Sequence, residues 1–199
     1  MVRAALTGGI ATGKSYCLSR FAALGAATID ADRLARDAVA PGTPGLQRVV
    51  ERFGAGILLP DGTLDRPALG RIVFGDRGAR TDLEAIIHPE VYRRIGEWFA
   101  DLPAGTRVAI ADIPLLFETG QEHDFDRVIV AACAPAEQLR RLMARDNLTR
   151  EAALARLEAQ WPIEAKVARA DIVIQTDGSF AETDAAVKRA LWRLEESSK

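Results

Sequence analysis

The chain has 199 residues, 48% hydrophobic and 27% charged, which suits one domain, or one domain with an inserted subdomain, and fills a sizeable core. A formal net charge of -2 supplies no basic field, so nucleic acid and anionic membranes are disfavoured partners and any anion must be held locally. Gly8 and Gly9 arrive too soon for a signal peptide, no run approaches the roughly 18 apolar residues of a membrane helix, and Cys17 and Cys133 lie in apolar stretches that suggest buried thiols in a reducing compartment, so a cytoplasmic protein is expected.

Val2 to Leu6 is an apolar run that reads as a buried strand, and Gly8 to Ser15 follows it as Gly-Gly-Ile-Ala-Thr-Gly-Lys-Ser, matching G-x-x-x-x-G-K-S/T. The glycines let successive N–H groups face the phosphates of a triphosphate, Lys14 reaches the β/γ oxygens, and Ser15 offers a hydroxyl to Mg²⁺. The helix expected from about Lys14 turns its positive end toward the same anion.

A second apolar run, Ala27–Ile29, leads into Asp30-Ala31-Asp32. Side chains two apart on an extended segment share a face, so one aspartate could cap the helical-looking Arg33–Arg36 while the other meets a phosphoryl acceptor. The interval from about Asp32 to Arg107 is too long for one crossover and is expected to be a helical insertion. Its pieces are Pro44–Phe53, an Asp61-Gly62 turn, Asp65 as an N-cap with Pro67 in the first turn, and helices around Leu83 and Val91 broken at His88-Pro89. His88 reads equally as a cap at that break and as an acceptor contact.

Val108–Ala111 is the third expected strand, ending at Asp112, which either holds Mg²⁺ or serves the fold. Ile113 to Glu118 is too apolar for a surface loop, which suggests a wall for an organic acceptor or, for Leu115, core packing. After a fourth strand, Val128–Ala132, a helical section from Pro135 to about Ala168 carries Arg141 and Arg145 on one face, either a solvated stripe or a cradle for phosphate oxygens. Ile172–Ile174 is the fifth strand, and Ser179-x-x-Glu182 opens the last helix as a capping box. Strands alternating with helices argue for a parallel sheet with its ligand at the carboxyl ends. The two histidines form no metal-ligand cluster with cysteine, which excludes a structural zinc site.

These residues in this order resemble the bacterial dephospho-CoA kinases over nearly the whole length. The likeness rests on Leu6–Ile10, Gly13-Lys14-Ser15, Ile29–Asp32 with Ala35-Arg36, Asp61-Gly62, Leu64-Asp65-Arg66, Val73-Phe74, Leu83-Glu84, Ile87-His88-Pro89 and Asp112–Glu118. It continues through Gln138, Arg141, Arg145, Gln160, Lys166 and Ala170-Asp171. The resemblance implies ATP-dependent, Mg²⁺-assisted phosphorylation of the ribose 3′-hydroxyl of dephospho-CoA, the last step of coenzyme A synthesis. The fold implied is α/β, a P-loop kinase-like three-layer architecture with a five-stranded parallel sheet. Within a single domain it comprises a core (about 1–31, 107–134 and 170–199), a helical acceptor-binding insertion (about 32–106) and a helical lid (about 135–169).

On the same resemblance, Asp32, Lys14 and Arg141 are the catalytic residues, Asp32 handling the acceptor proton. ATP contacts fall to Gly8, Gly9, Ala11, Thr12, Gly13, Lys14, Ser15, Tyr16, Arg141 and Arg145. The acceptor would meet Thr7, Asp32, Arg66, His88, Pro114, Leu115, Leu116 and Phe117, and the metal Ser15 and Asp112. Partners are small molecules only, and a monomer is expected, with an oligomer as the alternative. The chain departs from the family at Ala11 and Thr12, where Gly and Ser are usual, at Tyr16, more often Thr, and in Gln175–Gly178, where the usual Asn is replaced. Rival readings are another small P-loop kinase, acting on a nucleoside monophosphate or shikimate, and a nucleotide switch; the N-K-x-D stretch of a guanine-specific switch does not occur.

Overall fold

The computed structural model describes residues 1–197. Strands β1 (Val2–Gly8), β2 (Ala27–Asp30), β3 (Val108–Asp112), β4 (Arg127–Ala132) and β5 (Ile172–Gln175) form one parallel sheet in the order β2-β3-β1-β4-β5. Each expected strand is present and extends by one or two residues beyond its apolar run, mostly at the carboxyl end, because ladder pairing continues into polar residues. The helices are α1 (Lys14–Ala23), α2 (Ala31–Ala38), α3 (Pro44–Phe53), α4 (Arg66–Gly75), α5 (Arg77–Asp101), α6 (Pro135–Asp146), α7 (Arg150–Glu158), α8 (Ile163–Val167) and α9 (Phe180–Glu196).

The chain divides into two compact units, Met1–Asp30 with Leu102 onward, and Ala31–Asp101. In the first unit, alternate residues of the sheet, among them Ala4, Leu6, Ile110, Ile129 and Ile174, pack with Cys17 and Phe21 of α1 and Val187 and Leu194 of α9. Helix α8 packs on β4. Because β1 is central, with β3 on one side and β4 on the other, the connection that follows it emerges where the strand order reverses, the place where open α/β sheets bind ligands. Register brings the strand ends together: Leu6 and Asp30 both pair with Asp112, and Gly8 pairs with Ala131.

The second unit is helical. Thr43 caps α3 by accepting from the Leu46 N–H at 3.2 Å, Asp65 caps α4 by accepting from Ala68 at 2.9 Å, and a turn at Asp61-Gly62 joins the Leu58↔Leu64 bridge. Val39, Leu46, Val49, Ile57 and Leu69 form its core.

Two local expectations are corrected. Asp30 ends β2 and Ala31 already begins α2, so Asp30 and Asp32 do not lie on one extended segment. His88-Pro89 does not break the chain into two helices: α5 runs through Pro89. A mid-helix proline removes one N–H, and the burial of Ala79 before it and of Val91, Ile95 and Phe99 after it holds both halves on one course.

Pro89→Ala restores that N–H and a good helix former. Urea denaturation should show a stability gain of about 1 kcal/mol or more; a loss would mean that α5 depends on the proline's geometry.

Candidate active site

The loop between β1 and α1 curls on residues that fit only one way. Gly13 has φ +81° and sits as N-cap of α1, in a region open chiefly to glycine. A Cβ on Gly9 would come within 2.4 Å of the Gln138 amide nitrogen. Ala11 also takes a left-handed conformation, φ +61°, so the departure from glycine there carries backbone strain. Thr12 is absorbed differently: it is buried, and its hydroxyl donates to the Gly9 carbonyl at 2.8 Å inside the loop.

Side chains from distant elements hold this curl. The Ile10 N–H donates to Gln160 Oε1 at 2.9 Å, and Gln138 Nε2 donates to the Ile10 carbonyl at 2.7 Å. The Thr176 hydroxyl donates to the Thr12 carbonyl at 2.8 Å. Lys166 is fully buried, with Nζ 2.7 Å from Glu118 Oε1 and donating to the carbonyls of Gly8 at 3.4 Å and Pro114 at 3.3 Å. Gln138, Gln160 and Lys166 thus fix the loop although they were absent from the expected site residues. The signal that pointed to them was their place among the residues that carry the family resemblance, which named them without a role.

At the carboxyl ends of β1 and β3, Lys14 is ion-paired to Asp112, a buried carboxylate, and Asp30 stands in register with it. Ser15 is exposed beside Lys14. The Tyr16 hydroxyl donates to Asp184 at 2.7 Å, which raises the phenol's pKa. Burial pushes the Cys17 thiol up to about 12, so it stays protonated.

The remaining expected residues separate by unit. Arg141 donates to Glu137 at 2.7 Å and to the Thr176 carbonyl at 2.6 Å, and it borders a cavity of about 490 Å³ together with Ala11, Gly13 and Tyr16. Hydrogen bonds from Arg140 and Arg141 hold Glu137 down to about 2. Arg145, one turn on, is paired to Asp146 at 2.8 Å and does not line that cavity. Thr7 is buried and donates to the Pro114 carbonyl at 3.2 Å. In the wall segment Leu116 and Phe117 turn into the packing while Pro114 and Leu115 stay partly exposed. Phe117 stacks on Trp161 with centroids 6.2 Å apart, and the Arg169 guanidinium lies over both rings.

In the helical unit, Asp32 lies in the first turn of α2, and Arg66 donates to the Arg36 carbonyl of the same helix at 3.5 Å. His88 is inside α5 and not at a helix end; it meets Tyr92 edge-on at 6.5 Å, and burial lowers its pKa against the opposing effect of Glu84.

Comparison with known proteins converges on one family. The dephospho-CoA kinase family model matches residues 2–182. A dephospho-CoA kinase of Carboxydothermus hydrogenoformans is 45% identical over 98% of this chain and 96% of its own. The solved dephospho-CoA kinase of Campylobacter jejuni superposes with a TM-score of 0.75 at 30% identity, covering 99% of this chain and 98% of its own. A shikimate kinase of Acinetobacter baumannii, at TM-score 0.56 and 18% identity over 100% and 96% of the two chains, shares the fold alone.

Lys166→Met would leave Glu118, whose side chain is 16% exposed, without its ammonium partner. Urea denaturation should report a loss of about 3–5 kcal/mol, partly recovered in Lys166→Met with Glu118→Gln. A loss under about 1 kcal/mol would mean that the pair is not a desolvated one.

Proposed function

The chain belongs to the dephospho-CoA kinase family, and from that premise we propose how its own residues divide the work. The reaction transfers the γ-phosphoryl group of ATP to the ribose 3′-hydroxyl of dephospho-CoA, giving ADP and coenzyme A, the last step of coenzyme A synthesis. The observation that carries the site assignment is the pairing of Lys14 with buried Asp112 at the carboxyl ends of β1 and β3.

Phosphoryl transfer needs positioning and charge more than covalent chemistry. Lys14 would leave Asp112 for the β/γ oxygens, and Arg141, on the helical section read as a lid, would neutralise charge on the transferring group. That exchange strips a buried carboxylate of its cation, so Asp112 with the Ser15 hydroxyl forms a hard-oxygen donor set suited to Mg²⁺. Bound there, Mg²⁺ would neutralise charge on the phosphates. Loop N–H groups and the N-terminus of α1 would hold the phosphates themselves.

The Ala31–Asp101 unit is proposed to bind the acceptor, with Asp32 orienting the 3′-hydroxyl and taking its proton, and Arg66 and His88 as contacts. Pro114 and Leu115 are the exposed part of the apolar wall. A second reading gives the orienting role to Asp30, which the sheet register places opposite Asp112. No helix among the described residues is long and apolar enough to cross a membrane, and a cytoplasmic monomer is proposed.

Purified protein with Mg-ATP should release ADP with dephospho-CoA and not with AMP or shikimate. Turnover of either rival alone would overturn the acceptor assignment. Asp32→Asn should lower kcat by about 10²-fold or more with ATP affinity retained. If Asp30→Asn does this and Asp32→Asn does not, the second reading is correct.

A further inference from the structure

We propose that this enzyme holds the nucleobase of its phosphoryl donor by the ring face of Phe180, braced by Tyr16, and does not read the base edge, so that ATP and GTP both serve as donors. The proposal deepens the kinase reading and rests on it for the identity of the triphosphate.

The cavity of about 490 Å³ beside the phosphate loop is bordered by Ala11 and Gly13 of the loop, so a nucleoside carried on loop-bound phosphates reaches it. Telling adenine from guanine requires donors and acceptors aimed at the base edge, because a site built to hydrogen-bond one edge leaves groups unpaired with the other. Here the polar side chains of the wall are engaged within the fold. The Thr176 hydroxyl donates to Thr12 O and receives Arg141 Nη1 at 3.1 Å, while Asp177 Oδ1 accepts from the Ala134 N–H at 2.6 Å. The Thr183 hydroxyl donates to the Ser179 carbonyl at 3.2 Å. Ser179 and Glu182 exchange bonds in the capping box of α9. Two amides of the same stretch are engaged as well: Thr176 N–H goes to Ala132 O, and Ser179 N–H to Glu182 Oε2.

What the wall presents outward is an aromatic ring. Phe180 is 73% exposed at the start of α9, where the capping box fixes its backbone. Its ring meets Tyr16 with centroids 4.8 Å apart. Tyr16 is held in turn by its bond to Asp184, which pairs with Arg20 at 2.8 Å. The large side chain at position 16 therefore backs an exposed apolar face next to the loop. Stacking on such a face tolerates any base, since every base has a π-surface.

The test has a kinetic arm and a binding arm. With saturating dephospho-CoA, kcat/KM for ATP and GTP should agree within about 10-fold, and Phe180→Ala should raise both KM values by about 10-fold with kcat little changed. Phe180→Trp should keep both KM values low. By calorimetry ADP and GDP should bind with Kd values within about 10-fold of each other, both weakened alike in Phe180→Ala. Preference for the adenine nucleotide beyond about 100-fold, or a Phe180→Ala variant with unaltered KM and Kd, would overturn the proposal. The binding arm involves no acceptor: the expected ADP and GDP pattern without turnover of dephospho-CoA would count against the kinase reading and support this one.

Discussion

A phosphate loop must hold its backbone N–H groups in a curl that is neither helix nor strand, and nothing within the loop repeats a bond often enough to keep it there. In this protein the curl is secured at Ile10, whose N–H and carbonyl are both bound by glutamine side chains, from Gln160 and Gln138. Thr176 secures the next carbonyl, at Thr12, and Lys166 secures Gly8. These ties come from α6, from the segment after α7, from α8 and from the residue after β5. The left-handed Ala11 lies between two tied positions, and that is the setting in which a non-glycine residue can be kept in a conformation it disfavours.

The same ties decide where charge resides. Lys166 enters the interior fully buried and is matched there by the Glu118 carboxylate and two carbonyls, while Lys14 is matched by Asp112. The two ion pairs differ in what surrounds the lysine. Lys166 has carbonyls of the loop and wall as further partners, so moving it would uncover several groups together, and it acts as a fixed post. Lys14 emerges from the first residue of α1, at the mouth of the loop, with a side chain 13% exposed. Of the two, Lys14 is the one able to exchange a carboxylate for phosphate oxygens.

The fold was largely legible in the sequence because its signals are local. Five apolar runs became five strands, Asp65 capped where a helix had to start, and Ser179 with Glu182 closed a capping box. The misreadings came where tertiary packing overrode a local signal. Pro89 reads as a break, yet the buried side chains on both sides keep α5 continuous. Asp30-Ala31-Asp32 reads as extended, yet the strand ends at Asp30, and whether a residue ends a strand or begins a helix depends on pairing with β3 that no short window contains. In the site, the glycines, Lys14 and Asp112 were legible because the chemistry dictates their type. Gln138 and Gln160 were visible only as part of the family resemblance and without a role, since their partner is a backbone group more than a hundred residues away and no local pattern says which backbone a glutamine will meet.

Those two glutamines also bracket the helical section proposed as a lid. Gln138 lies near the start of α6 and Gln160 just past the end of α7, so the intervening helical hairpin is rooted on Ile10 at both of its ends. Inside it Asp146 receives Arg145 at 2.8 Å and Arg156 at 2.6 Å, joining the end of α6 to α7, and Leu139, Leu142 and Ala153 pack beneath with Ile10 and Ala11 against them. Arg141 lies between the root at Gln138 and the Arg145–Asp146–Arg156 group, and its bonds to Glu137 and Thr176 are on the root side. The hairpin that holds the phosphate loop at Ile10 is therefore also the element that carries Arg141, the guanidinium that would meet the transferring group.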